Sequence, residues 1–309
     1  MLLKREKGFT LVELMVVISI IGILAVALTT QVTKSRALGK SMRCKTNLRN
    51  LSQAALNCGV VYGRLPWAGP FEFVDRNVVN GRPVAGYSRN ALYDSAKDTW
   101  RSGPWVDWTG SGRWWNRQPQ YGSMKNACFY GDNAYESITN GVLWELVGKD
   151  LSVYRCDVHR DAAVREGCKK VLRSYVMNSY FGYANVGQGR ATSHRSAESS
   201  VAALSDRGSA ANLLLFAELP ARKVDKTEYP ADGVLEVKIR GYTDKNSREE
   251  IIGFNHQVSK KYVAHVAFAD GHVEVVAEPS GAKDADLKEL TRLLCNGDEI
   301  TQTLREKMR

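Results

Sequence analysis

Lys7-Gly8-Phe9-Thr10-Leu11-Val12-Glu13, continuing through Leu14-Met-Val-Val-Ile-Ser-Ile-Ile-Gly-Ile-Leu-Ala-Val-Ala-Leu28, decides how this chain is built. Upstream of Phe9, Lys4, Arg5 and Lys7 stand against Glu6; downstream the run to Leu28 is apolar apart from Thr10, Glu13 and Ser19. About 20 residues at ~1.5 Å rise cover the ~30 Å hydrocarbon thickness, so the stretch predicts a membrane-crossing helix. A secretory signal peptide has its small-residue cleavage site after the apolar core, whereas Gly8 precedes it, and a cut there keeps the helix. Glu13 needs a further reason, because a carboxylate in such a helix costs about 2.5–3.5 kcal/mol at the bilayer centre and is normally matched to a partner. Cleavage between Gly8 and Phe9 creates one, the amine of Phe9. In a bundle of parallel, staggered helices the Glu13 carboxylate of one subunit meets the Phe9 amine of the next, and that pairing sets register.

Working outward, the chain has 309 residues, a formal net charge of +10, 44% hydrophobic and 25% charged residues. That is globular composition, with length for one large domain or two small ones. A mean hydropathy of −0.32 excludes a polytopic membrane protein. From Gln31 to about Tyr62 the apolar residues Leu38, Met42, Leu48, Leu51, Ala55 and Cys58 keep helical spacing with no proline before Pro66, which predicts that one helix continues to about Gly59. No acidic residue occurs between Glu13 and Glu72, while Lys34, Arg36, Lys40, Arg43, Lys45, Arg49 and Arg64 accumulate. This basic run suits a solvated or lipid-facing surface. Nucleic acid is not expected as a partner, because no aromatic–basic interleaving or helix-turn-helix pattern accompanies the charge.

The residues from Lys7 to Glu13 with the apolar run that follows resemble the leader of type IV prepilins and type II secretion pseudopilins. The resemblance implies that a membrane prepilin peptidase cuts after Gly8, that Phe9 is methylated, and that Glu13 is the assembly carboxylate. It further implies other pilin or pseudopilin subunits and an inner-membrane assembly platform as partners. A second set of segments resembles prepilin-type proteins with a His–nine residues–Asp-Gly signature: Arg43-Cys44-Lys-Thr-Asn-Leu-Arg49, Tyr154-Arg-Cys156-Asp157, Ser174-Tyr-Val-Met-Asn178, Leu215-Phe-Ala-Glu218 and Phe268-Ala-Asp270-Gly271-His272. Here thirteen residues separate His256 from Asp270, so His256, Asp270, Gly271 and His272 form a motif without an assigned role.

After Pro66 the pattern becomes short and turn-punctuated. Five of the seven tryptophans, Trp100, Trp105, Trp108, Trp114 and Trp115, fall in one Gly/Ser-rich stretch. A short helix is expected over Ile138–Leu151, strands over Arg173–Asn178, Asn212–Glu218 and Gly233–Tyr242, and helices over Ala285–Leu294 and after Asp298. Tyr262–Ala269 and His272–Val276 alternate about Asp270-Gly271, which predicts a β-hairpin with a two-residue type I′ turn bringing His265 and His272 near one another.

Six cysteines, Cys44, Cys58, Cys128, Cys156, Cys168 and Cys295, all lie outside the apolar run. Cys44 and Cys58 on one helix are about 21 Å apart and cannot bridge. Cys156 and Cys168 enclose a polar loop and are the expected disulfide pair. Cys156, His159 and Cys168 lack a fourth ligand nearby, so no metal is expected there. The resemblance brings calcium into consideration, but no run of alternating Asp/Asn closed by Glu appears, and no cofactor is expected. No Gly-rich phosphate loop, H-E-x-x-H or G-x-S-x-G occurs, no catalytic residue is assigned, and the chain is not read as an enzyme.

The expected architecture is α+β and pilin-like: a long N-terminal helix packed on an antiparallel sheet head with an elaborated loop-rich region. Residues 1–8 form the leader, 9–30 the transmembrane and assembly half of the helix, 31–62 its amphipathic half, and 63–309 an extracytoplasmic head. The expected function is a structural subunit of a type II secretion pseudopilus or type IV pilus-like filament. It would cross the bacterial cytoplasmic membrane once before joining a filament in the periplasm or at the cell surface. The alternative is a membrane-anchored extracytoplasmic module for a glycan or peptide, with Trp105, Trp108 and Trp114 as stacking platforms.

Overall fold

The computed structural model describes residues 10–62, 65–66, 68, 93–94, 99–100, 105–106, 135, 138–139, 141–165, 171–178, 181, 210–220, 233–235, 237, 250–258 and 260–309. Gly8, Phe9, Trp108, Trp114, Cys128 and Cys168 lie outside the described residues, as does most of the strand expected over Gly233–Tyr242. The chain divides into two compact units, residues 1–42 and 43–309, with the boundary inside the first helix. The architecture is α+β: a long N-terminal helix, α1 (Leu11–Tyr62), followed by a predominantly antiparallel sheet.

In the first unit, α1 has no proline, and its apolar side chains repeat all round the helix instead of forming a single stripe. Leu11 is 73% exposed and Leu28 65%, with Leu14, Ile18, Ile21 and Leu24 exposed between them. A helix that is hydrophobic on every face needs an apolar surrounding.

In the second unit the pattern changes. From Cys44 the helix buries Cys44, Leu48, Leu51, Ala55 and Cys58 at spacings of three and four, while the charged Arg43 and Arg49 stay outside. Leu48 and Leu51 are completely buried, each stabilising by about 1.5–3 kcal/mol. Leu38 and Met42, expected on the same stripe, are exposed, so the buried apolar positions begin at Cys44. The one amide on this face, Asn47, donates through Nδ2 to the carbonyls of Ser152 and Arg155, both at 2.9 Å.

Six strands form the main sheet: β3 (Tyr175–Asn178), β4 (Leu214–Glu218), β5 (Val234–Leu235), β6 (His256–Val258), β7 (Lys261–Phe268) and β8 (Val273–Ala277). Two short strands earlier in the chain, β1 (Tyr93–Asp94) and β2 (Thr99–Trp100), pair separately. Every pair in the main sheet is antiparallel except β3 with β5. β7 organises it. On one edge it pairs with β8 from Val263 to Ala267; on the other it pairs with β4 over Val266–Phe268 and with β6 over Lys261–Val263. His265 therefore faces a gap between the end of β4 and the start of β6. β3 and β4 are buried at every position, through apolar runs that end in the buried polar residues Asn178 and Glu218.

The expected hairpin is present, but its turn differs. Phe268 N–H donates to the His272 carbonyl and Gly271 N–H to the Phe268 carbonyl, so three residues close the loop. Gly271 has φ +91°, while Asp270 has no positive φ, so this is a type I turn followed by a left-handed glycine, not type I′. The segment expected as a helix over Ile138–Leu151 contains α2 (Leu143–Leu146), with a 3₁₀ turn following at Leu151–Tyr154. Asp157–Gly167, read as a loop, contains α3 (Asp157–Arg165). The chain closes with α4 (Asp284–Asn296) and α5 (Gln302–Met308), both anticipated.

Gly253 marks a close approach. Its N–H donates to the Glu218 carbonyl at 2.8 Å, and a Cβ there would lie 2.2 Å from the Leu219 carbonyl oxygen. Gly253→Ala is expected to push this segment off the end of β4 at a cost of about 1–3 kcal/mol. A lower denaturant midpoint with unchanged m would report it, and an unchanged midpoint would contradict the approach.

Candidate functional site

The N-terminal end of α1 is closed by its own first turn. Thr10 stands at the N-cap and Glu13 three residues into the helix. Glu13 Oε2 accepts the Thr10 N–H and the Thr10 hydroxyl, both at 2.8 Å, and Thr10 Oγ1 accepts the Glu13 N–H at 3.2 Å. This reciprocal capping box satisfies two otherwise orphaned donors, and the carboxylate sits where the helix dipole favours it. Farther along, Ser19 Oγ donates to the Met15 carbonyl and Thr29 Oγ1 to the Val26 carbonyl, both at 2.8 Å, so these hydroxyls are satisfied within the helix. α1 is the one helix among the described residues long and apolar enough to cross a bilayer; an 18-residue window has a mean hydropathy of 2.8 and no burial. Its dozen or so Leu, Ile and Val between residues 11 and 28 favour insertion by roughly 4–7 kcal/mol in sum, more than a single carboxylate opposes.

A second constellation lies in the core of the head, at the gap along β7. Cys44 comes from the buried face of α1, Cys156 from the entry to α3, Glu218 from the last position of β4, and His256 from the first of β6. Their ligand-type atoms all lie within 4.8 Å of one another, and all four residues are buried. Cys44 Sγ donates to Glu218 Oε1 at 2.9 Å, and His256 Nε2 lies 3.3 Å from both Cys156 Sγ and Glu218 Oε1. A second ring of polar groups holds these in place. His265 Nδ1 is 2.6 Å from Glu218 Oε1, Asn255 Nδ2 donates to Glu218 Oε2 at 3.0 Å, and Tyr175 OH is 3.2 Å from Cys44 Sγ. His256 and His265 meet edge to face with ring centroids 4.5 Å apart.

The charges in this cluster depend on one another. Burial acts to raise the Glu218 pKa, but the His256 charge and hydrogen bonds from His256 and His265 win and hold it well below the usual carboxylate range. Burial acts to lower His256, and the Glu218 carboxylate overrides it, raising the imidazole to about 10. For Cys156 burial is again opposed and outweighed, here by hydrogen bonds from Cys44 and His256, which leave the thiol lowered to about 6. Burial, reinforced by Cys156 and Glu218, pushes Cys44 well above its ordinary value.

The residues singled out by sequence are distributed differently. His256 enters the buried cluster, whereas Asp270, Gly271 and His272 form the hairpin tip, where His272 Nδ1 lies 2.5 Å from Asp270 Oδ1 and the His272 ring stacks on Phe268. His265 therefore pairs with His256, not with His272 as expected. His159 turns to Ser174 Oγ at 3.0 Å, and burial holds it neutral with a pKa lowered to about 4. Cys156, expected in a disulfide with Cys168, is a buried free thiol, as are Cys44, Cys58 and Cys295. Trp105, expected to offer a stacking face, is fully buried. It stacks on Tyr154, meets Phe216 edge-on with centroids 5.1 Å apart, lies under the Arg173 guanidinium, and donates Nε1–H to the Gly233 carbonyl. It is a core anchor and presents no face to a ligand.

Sequence reasoning missed Cys44, Glu218 and His265 as members of one site. A signal existed for two of them: Glu218 ends the apolar run Leu213-Leu-Leu-Phe-Ala217, and Cys44 falls on the apolar spacing of α1.

Comparison with known proteins bears on the N-terminal segment. Residues 3–29 match the family described as the prokaryotic N-terminal methylation motif. The type IV major pilin protein PilA of Myxococcus xanthus (strain DK1622) is 48% identical over 50 residues, which cover 16% of this chain and 23% of that protein. The match thus spans less than a quarter of the relative's length. No solved structure matches this chain. Through this segment the chain is type IV prepilin-like.

Proposed function

We propose that this chain is a prepilin-like structural subunit, held in the cytoplasmic membrane by α1 with its head extracytoplasmic. A prepilin peptidase cuts it after Gly8, the Phe9 amine is methylated, and residues 9–30 polymerise it into a type II secretion pseudopilus or type IV pilus-like filament. The work is mechanical and architectural, with other pilin-type subunits and an inner-membrane assembly platform as partners. One observation carries the reading: the residues that match a methylation motif include an unburied, all-round apolar stretch of helix whose one acid, Glu13, is fixed at its first turn. Such a surface requires lipid before assembly and sister helices after it, and a carboxylate at its end suits a cationic partner in either setting.

Orientation is tested with spheroplasts expressing the full chain. Added protease is expected to degrade the head and leave a membrane-protected fragment of α1. A head that stays intact until the membrane is permeabilised would contradict the proposed topology.

A further inference from the structure

We propose that Cys44, Cys156, Glu218 and His256 form a structural metal site for a divalent, borderline-soft cation of the zinc type. This goes beyond the assembly reading and does not depend on it, because every ligand lies in the second unit, residues 43–309, and none in the apolar segment.

The donor set is two sulfurs, one imidazole nitrogen and one carboxylate oxygen. Thiolate and imidazole together favour zinc over magnesium and calcium, which prefer oxygen cages, and the carboxylate is an ordinary zinc ligand. The spacing is close to that of a metal shell, with ligand shifts of a few tenths of an ångström to about 1 Å needed to close it. A tetrahedron with Zn–S near 2.3 Å and Zn–N and Zn–O near 2.0–2.1 Å has edges of about 3.3–3.8 Å. The cluster's Cys156–His256 and His256–Glu218 separations are both 3.3 Å, its Cys44–Glu218 separation is 2.9 Å, and no pair exceeds 4.8 Å. Four protein donors leave no open position, which marks a structural site and not a catalytic one.

The surroundings reinforce the assignment. A metal-bound carboxylate is normally oriented by an outer hydrogen bond, and Glu218 has one from His265 on Oε1 and one from Asn255 on Oε2. Tyr175 OH is placed to donate to the Cys44 sulfur. Burial without an ion would leave sulfur, carboxylate and imidazole groups to neutralise one another in a core that excludes water, whereas a dication answers all three donor types at once.

The four ligands come from four separate elements, α1, the entry to α3, β4 and β6. A metal at their centre would clip the Arg43–Tyr62 part of the helix to the sheet. Its binding free energy would be part of the head's folding free energy.

The test uses the full chain purified in detergent without reductant, measured for bound metal and for alkylation of its thiols. About one zinc per chain is expected, with Cys44 and Cys156 protected until a chelator is added. Reloading the chelated chain with Co²⁺ alone should give a thiolate-to-cobalt charge-transfer band and tetrahedral d–d absorption. Cys156→Ser and His256→Ala should each weaken metal retention about tenfold or more. Because either variant can fold poorly, the cobalt spectrum of the unaltered chain decides independently. A Cys44–Cys156 disulfide in the native protein, freely alkylated thiols with no metal, a cobalt spectrum without sulfur ligation, or zinc retained undiminished in both folded variants would each overturn the site.

Discussion

Glu13→Gln is expected to abolish filament formation while leaving cleavage after Gly8 intact. The substitution separates two jobs that one carboxylate performs. In the single chain Glu13 is the acceptor of a capping box with Thr10. Glutamine fills that position as well as glutamate does, so α1 keeps its first turn. Glutamine cannot answer a positive amine. Two unit charges about 4 Å apart at an effective dielectric of ~20 attract by about 4 kcal/mol. Losing that at each subunit contact weakens association roughly a thousand-fold. Thr10→Val is the complementary control: it removes the hydroxyl from the cap, costs the helix about 0.5–2 kcal/mol, and leaves the charge in place. Filaments counted by electron microscopy, with processing followed by mass, should be absent for Glu13→Gln and present for Thr10→Val. The reverse outcome would reduce Glu13 to a helix cap.

The second large effect is upstream. Gly8→Val is expected to leave the whole population unprocessed and unassembled, with the protein still in the membrane. Without the cut, Phe9 has no free amine and Glu13 has no partner. Lys4, Arg5 and Lys7 also stay attached to the end of the helix, and each cation carried into an apolar filament core costs about 2.5–3.5 kcal/mol. The chain should therefore partition with membranes at its wild-type level, because residues 11–28 are unchanged, and yet never appear in sheared filament fractions. Filaments built from uncut Gly8→Val subunits would show that leader removal does not gate assembly.

Much of the fold was legible for identifiable reasons. The apolar run made α1 legible because few other structures expose Leu11, Ile18 and Leu24 along one helical stretch whose single charge is Glu13. β3 and β4 announced themselves by unbroken apolar runs, and β7–β8 by alternation about a glycine. What failed was local chemistry. α3 was hidden because Asp157, Arg160, Asp161 and Arg165 cover it, and its Arg160 pairs with both acids along its surface, a stabilisation that leaves no apolar stripe to count. The hairpin turn was misread because Asp-Gly suits two loop lengths, and the Phe268–His272 hydrogen bond decides between them.

The buried cluster was illegible for a different reason. Cys156 and His256 lie 100 residues apart, and Cys44 and Glu218 lie 174 apart. No spacing rule relates such residues; only the interrupted edge of β7 brings them together. Each of the four did fall in a segment or motif that the sequence singles out, Cys44 in Arg43–Arg49, Cys156 in Tyr154–Asp157, Glu218 in Leu215–Glu218 and His256 in the motif with Asp270, Gly271 and His272. Their common purpose became visible only in three dimensions.

The central claim is that the chain matures by a cut that converts a membrane anchor into an assembly helix. Mass spectrometry of the N-terminal peptide of the native protein, recovered from the membrane fraction of cells that hold a prepilin peptidase, tests it most directly. The account predicts a chain beginning at Phe9 and carrying one methyl group on its amine. A chain that keeps Met1 and the leader, or one cut beyond Leu28 so that the apolar helix is lost, would contradict it.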